Sequence, residues 1–157
     1  MLPPVPTPRR SRLKVRLAVE RDGRLLCVRH AKPDQAPFWC LPGGNVDAGE
    51  SLRAAGRREL REETGAEVEP LELLMVLDDP DQRGGDGIVE VILHGALIGG
   101  EPALGSASGD AYLDRVAWLP LGDLPEDFRP RALRELLHGR TSLDGLGTIP
   151  LLDWDAR

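Results

Sequence analysis

Apolar and polar residues alternate from the thirteenth position. Leu13, Val15, Leu17 and Val19 fall on one side, with Lys14 and Arg16 on the other. A period of two predicts a half-buried strand. Asp22-Gly23 is a hairpin turn signal, and residues 25–28 make the returning strand. A loop containing Pro and Asp leads to a short apolar piece at 38–41, which ends in Pro42-Gly43-Gly44. From 51 to 64 the period becomes helical, with Ser51 placed as an N-cap and Gly65 where a glycine stops a helix. Residues 71–77 read as a strand, 78–87 as a polar loop and 88–98 as a long β-rich segment. A Gly/Ser-rich loop at 99–109 precedes a strand at 112–119. Residues 131–138 form a short helix between Pro130 and Gly139. In the tail, Leu151, Leu152 and Trp154 are expected to pack against the body.

Strands and helices interleave without an internal repeat or a linker. The expected class is therefore α/β (α+β) with one mixed sheet. The expected layout is a flexible leader at 1–10, which holds four prolines, followed by a single domain at 11–157.

Composition narrows the function. The chain of 157 residues is 41% hydrophobic, enough to bury a core without staples. Its net charge is −6, and lysine occurs only at 14 and 32, the other basic residues being arginine. An acidic chain with scattered arginines argues against a general nucleic-acid or membrane-surface binder. Cys27 and Cys40 form neither a CxxC nor a cluster with histidine, so they read as reduced core thiols. The chain contains no apolar run of membrane-spanning length and its first residues lack the apolar stretch of a signal peptide. The expected location is the cytoplasm.

The segment from 43 to 66, GGNVDAGESLRAAGRRELREETGA, carries the chemistry. On a helical wheel Leu52, Ala55, Gly56, Glu59, Leu60 and Glu63 share one side, with Glu62 at its edge. Arg53, Arg57 and Arg61 take the opposite side. Glu59, Glu62 and Glu63 are spaced i, i+3, i+4, so three carboxylates converge within one turn. Two readings account for them: a solvated acidic helix with i,i+4 arginine partners, or oxygen ligands for a hard divalent cation such as Mg²⁺ or Mn²⁺.

Gly44, Glu50, Arg58, Glu59, Leu60, Glu62, Glu63 and Gly65 stand at the spacing of the Nudix hydrolase signature, which this segment resembles. The soft departure is the last apolar position, held by the small Ala66. Trp39 before Leu41-Pro42-Gly43-Gly44, and Trp118-Leu119-Pro120-Leu121 later, also look like the family's flanking segments, so the likeness covers about 12–138. The resemblance implies a mixed β-sheet between helices. It also implies hydrolysis of nucleoside diphosphates linked to another moiety, by water attack on phosphorus with bound Mg²⁺ or Mn²⁺. By the same likeness Glu59, Glu62 and Glu63 match the metal-binding glutamates, the Gly44 carbonyl is an added ligand, and Glu62 is taken as the base. Glu50 and Arg58 look like the ion pair that fixes the loop on the helix.

Other residues enter as candidates. Arg29, His30 and Lys32 could meet a terminal phosphate, and Asp110 and Asp114 precede Trp118 where some family members place an extra acid. Glu90 could point toward the site, and Trp39, Trp118 and Tyr112 are candidate stacking partners. Pro80 lies fifteen residues beyond Gly65, a spacing resembling ADP-ribose-hydrolysing members. The expected partner is a small nucleotide, not nucleic acid or a membrane, and a homodimer is compatible with the sequence. A Nudix-like sensor without catalysis is the competing class; such proteins usually lose some of the glutamates that are all present here.

Overall fold

A computed structural model describes residues 9–80, 86–105 and 112–150. Asp110, Leu151, Leu152, Trp154 and most of the leader lie outside the described residues. In chain order the elements are β1 (Ser11–Arg21), β2 (Arg24–His30), β3 (Phe38–Cys40), β4 (Gly43–Asn45), α1 (Leu52–Thr64), β5 (Glu67–Asp79), β6 (Gly87–Gly99), β7 (Leu113–Pro120), α2 (Arg131–Leu137) and β8 (Ile149–Pro150).

β1 organises the sheet. Along one edge it pairs in parallel with β6, from Ser11 opposite Gly87 to Val19 opposite Gly95. Its other edge is divided: β4 pairs with residues 14–16, and β2 returns from the Asp22-Gly23 turn to pair at its end. The path runs β3-β2-β1-β6-β5-β8, with β4 on β1 and β7 on β2. All pairs but β1–β6 are antiparallel, so the sheet is mixed, as expected.

The alternation in β1 separates two apolar clusters. Val15, Leu17 and Val19 pack with Ala55 and Leu60 of α1 and with Val91 and Leu93 of β6. On the other face Ala18, Cys27 and Ile92 join Phe128 and α2 residues Leu133 and Leu137. The sheet thus lies between the two helices. Burying a leucine stabilises the fold by roughly 1.5–3 kcal/mol, and Leu17, Leu60 and Leu133 are fully buried.

Two short strands depart from the sequence reading. Neither β4 nor β8 was expected, because two or three residues display no period and their partners lie far along the chain. β5 starts at Glu67, before the expected 71, and contains Pro70. The register shifts between Pro70 and Leu73, which accommodates the proline and interrupts the alternation. Among the described residues no helix is long and apolar enough to cross a membrane.

Leu60→Ala should lower stability by about 2–5 kcal/mol, because it opens a cavity between α1 and β1. Arg61→Ala, on the exposed side of the same turn, should change it by less than about 0.5 kcal/mol. Denaturant midpoints that moved equally for both would contradict this packing.

Candidate active site

Helix α1 begins where the Ser51 hydroxyl accepts the Ala54 N–H at 3.1 Å. It ends at Gly65, whose left-handed φ of 69° lets its N–H reach the Arg61 carbonyl. Within these limits the helical period carries Glu63 into the interior, where it is buried. Its Oε2 accepts the Gly43 N–H at 2.8 Å. Gly43 itself has φ 138°, and a side chain there would run into the Val15 carbonyl. A Cβ on Gly44 would stand 2.5 Å from the Glu59 carboxylate. Gly43 is therefore required by the closeness of β1, while Gly44 leaves room for the Glu59 carboxylate.

Arg58 gathers the acidic groups. Its Nε and Nη2 donate to Glu50 at 2.9 and 2.8 Å, its Nη1 donates to Glu59 at 2.8 Å, and Nη2 also reaches the Asn45 carbonyl at 3.1 Å. Hydrogen bonds from Arg58 hold the Glu50 carboxyl below the ordinary carboxylate range, against the opposing effect of burial. Glu62 is held less closely than Glu50 and Glu59, at 3.5 Å from Arg58, and its side chain keeps 42% of its surface exposed.

Glu59, Glu62, Glu63, Gly44 and Asn45 line one cleft of about 490 Å³. Arg12, Lys14 and Arg16 of β1 line it too, with Lys32, His30, Phe38 and Tyr112. The cations share a face because they occupy alternate positions of a strand. The half-buried reading of β1 holds for Val15, Leu17 and Val19, while the side with Lys14 and Arg16 borders a cleft, where the Arg16 side chain is only 11% exposed. Burial, with Arg16 alongside, lowers the Lys14 ammonium pKa. A second cavity of about 490 Å³ adjoins the first and shares Lys14, Arg16 and Phe38 with it.

Not every candidate reaches the cleft. His30 does, stacked on Phe38 with ring centroids 5.3 Å apart. Arg29 donates to Asp114 at 2.9 Å and lies 6.0 Å over the Trp39 ring, and none of these three lines the cleft. Register explains the division: His30 pairs with Phe38 and Arg29 with Trp39, so the two pairs face opposite ways. Trp118 packs with the α1 cluster beneath Arg21, 4.2 Å from the guanidinium. Glu90 lines the second cavity, bound to Arg16. Arg12, Lys14, Arg16, Asn45 and Phe38 were missed as site residues, and only the alternation of Arg12, Lys14 and Arg16 offered a signal.

The donor set fits a hard divalent cation, since the three glutamates and the Gly44 carbonyl offer oxygen alone. Among the described residues no three His, Cys, Asp or Glu side chains are gathered closely enough to hold an ion. Glu59 and Glu62 are engaged by Arg58, so an ion competes with that arginine for them.

Comparison with known proteins agrees with this geometry. The profile of the NUDIX domain matches residues 10–138. The "ADP-ribose pyrophosphatase" of Methanocaldococcus jannaschii is 30% identical over 102 residues, covering 65% of this chain and 60% of that protein. The human "8-oxo-dGDP phosphatase NUDT18" is 33% identical over 140 residues, 87% of this chain and 41% of that one. The chain thus spans less than two thirds of the length of either relative. The crystal structure of a MutT NUDIX hydrolase from Burkholderia pseudomallei superposes with a TM-score of 0.70 at 31% identity, covering 81% of this chain and 98% of that chain.

The Glu50–Arg58 pair should leave a signature in acid. A carboxyl whose pKa is lowered by folding adds stability above its unfolded value, ordinarily 4.5, and loses it as pH falls through the folded value. Glu50→Gln should therefore cost about 1–2 kcal/mol at pH 7. The difference from the parent chain should shrink below pH 4.5. Urea melts from pH 7 to 3 check this, and a pH-independent difference would count against the ion pair.

Proposed function

The chain belongs to the NUDIX family, and from that premise we propose that it is a divalent-metal-dependent pyrophosphohydrolase of nucleoside diphosphate derivatives. ADP-ribose is placed ahead of nucleoside triphosphates and dinucleoside polyphosphates by a small margin. One observation carries the reading: a single cleft is lined both by three carboxylates from one turn of α1 and by Arg12 and Lys14 of β1 with Lys32. A pyrophosphate linkage needs both, because its own charge must be neutralised while water attacks phosphorus.

Bound Mg²⁺ or Mn²⁺ would neutralise pyrophosphate charge and lower the pKa of a coordinated water. Glu59, Glu63 and the Gly44 carbonyl are the groups assigned to hold it, with Glu62 alongside. Glu62 is assigned the proton of the attacking water, because its side chain is the most exposed of the three. The new oxygen–phosphorus bond forms as the anhydride bond breaks, releasing a nucleoside monophosphate and the remaining phosphate compound. Arg12, Lys14 and Lys32 are placed to bind phosphate oxygens and the charge that gathers on the leaving group. The adjoining cavity leaves room for the group attached to the pyrophosphate.

Support for ADP-ribose is the spacing of Pro80 from Gly65 and the name of the Methanocaldococcus jannaschii relative. The human relative, named for another nucleotide, keeps the margin small.

Nucleotides should be hydrolysed with Mg²⁺ or Mn²⁺ and not with excess chelator. No product from any nucleotide with either metal would overturn the assignment. Glu62→Gln should lower kcat by about 100-fold or more while KM stays near its original value. Arg61→Gln should stay near the parent; equal losses from the two would remove Glu62 from the chemistry. In a comparison of kcat/KM, ADP-ribose should lead. A preference of about tenfold for a triphosphate, worth about 1.4 kcal/mol of barrier, would overturn the ranking and leave the reaction class standing.

A further inference from the structure

Arg16 borders the cleft but takes no part in the reaction set out above. It shares its β1 face with Lys14, yet three of its hydrogen bonds go to protein oxygens. Its Nε donates to Glu90 Oε1 at 2.7 Å, and its Nη1 donates to the carbonyls of Gly43 at 2.7 Å and Leu41 at 3.1 Å. The Gly43 N–H continues the connection, donating to the buried Glu63 at 2.8 Å. Glu59 packs over the next residue, Gly44. The segment at 41–44 is thus held from β1 by backbone pairing and by a guanidinium, and from α1 by a carboxylate.

Such a hold is needed on physical grounds. Two successive glycines have the widest backbone freedom available, and nothing in their own chemistry selects the φ of 138° that Gly43 adopts. The direction of the Gly43 N–H, and with it the place of the Glu63 carboxylate, must be imposed from outside. A planar guanidinium anchored at Nε by Glu90 leaves Nη1 in a fixed direction, which a lysine ammonium on a flexible stem cannot reproduce.

We propose that Arg16, oriented by Glu90, is a positioning residue that fixes Glu63 and the Gly44 carbonyl through the backbone of Gly43. The proposal rests on the reading that Glu63 and Gly44 hold the divalent cation. It concerns how the chain prepares that site, not which groups touch substrate.

Arg16→Lys and Glu90→Gln test it in the full chain. Manganese affinity would be followed by electron paramagnetic resonance, the Gly43 amide by nitrogen-15 NMR and its hydrogen exchange, and kinetics with the best nucleotide. Arg16→Lys should weaken Mn²⁺ binding by about tenfold and lower kcat by about 10–100-fold, with KM nearly constant. The Gly43 amide should shift and exchange faster. Glu90→Gln should move each readout the same way by less. A general loss of folded protein would lower the stoichiometry of Mn²⁺ binding and not its affinity. Raised KM with unchanged kcat and Mn²⁺ affinity would overturn the proposal, making Arg16 a substrate contact. Unchanged readouts would overturn it too. If Arg16→Lys fails to fold, Glu90→Gln decides by the same readouts. A parent chain that hydrolyses no nucleotide would overturn the proposed function alone, because Mn²⁺ affinity and the Gly43 amide still report on Arg16.

Discussion

Three carboxylates on one helical turn repel each other, and the surroundings of α1 are arranged to keep them there. On an exposed helix face each such like-charged pair costs about 0.2–0.5 kcal/mol, and more where burial removes water. Arg58 offsets the repulsion directly, because one guanidinium reaches Glu50, Glu59, Glu62 and the Asn45 carbonyl. The remaining carboxylate, Glu63, is buried against a backbone N–H, and a buried ion needs such a partner. That N–H comes from a strand whose approach to β1 leaves no room for a side chain, and so Gly43 follows.

β1 supports this arrangement with one alternation that serves two environments. On one face Val15, Leu17 and Val19 pack beneath α1 throughout. The other face changes along its length, from Arg12, Lys14 and Arg16 at the cleft to Ala18 in the cluster under α2. A strand whose second face were polar throughout could not close the second core. One apolar throughout would leave the glutamates facing a wall without cations.

How far the sequence revealed this varies with the range of the interaction. The Ser51 cap, the Gly65 stop and the inward side of α1 are local, and the periodicity shows them. The strands with a clear alternation or apolar run were also visible. β4 and β8 were not, since pairing with β1 and β5 alone makes them strands. The second face of β1 was legible only in part. Alternation separates core from non-core positions but does not distinguish open water from a cleft, so it left the surroundings of Arg16 undecided. In the three residues of β3 no period selects an inward side chain. Its pairing with β2 turns Phe38 to the cleft and Trp39 away from it, and that pairing is not legible in three letters.

The apolar clusters and the cleft divide the tasks of the molecule. Fully buried residues such as Leu17, Leu60, Ile92, Leu133 and Leu137 supply stability on both sides of the sheet. Arg16 and Glu90, nearly enclosed between the two cavities, are a poor source of it, because desolvating a pair of ions offsets most of their attraction. Well-packed apolar residues in their place would often stabilise a chain as well or better. What apolar residues could not do is grip the Gly43 and Leu41 carbonyls from the side of β1. The pair therefore accounts for the geometry of the cleft, while the cores carry the cost of having it there.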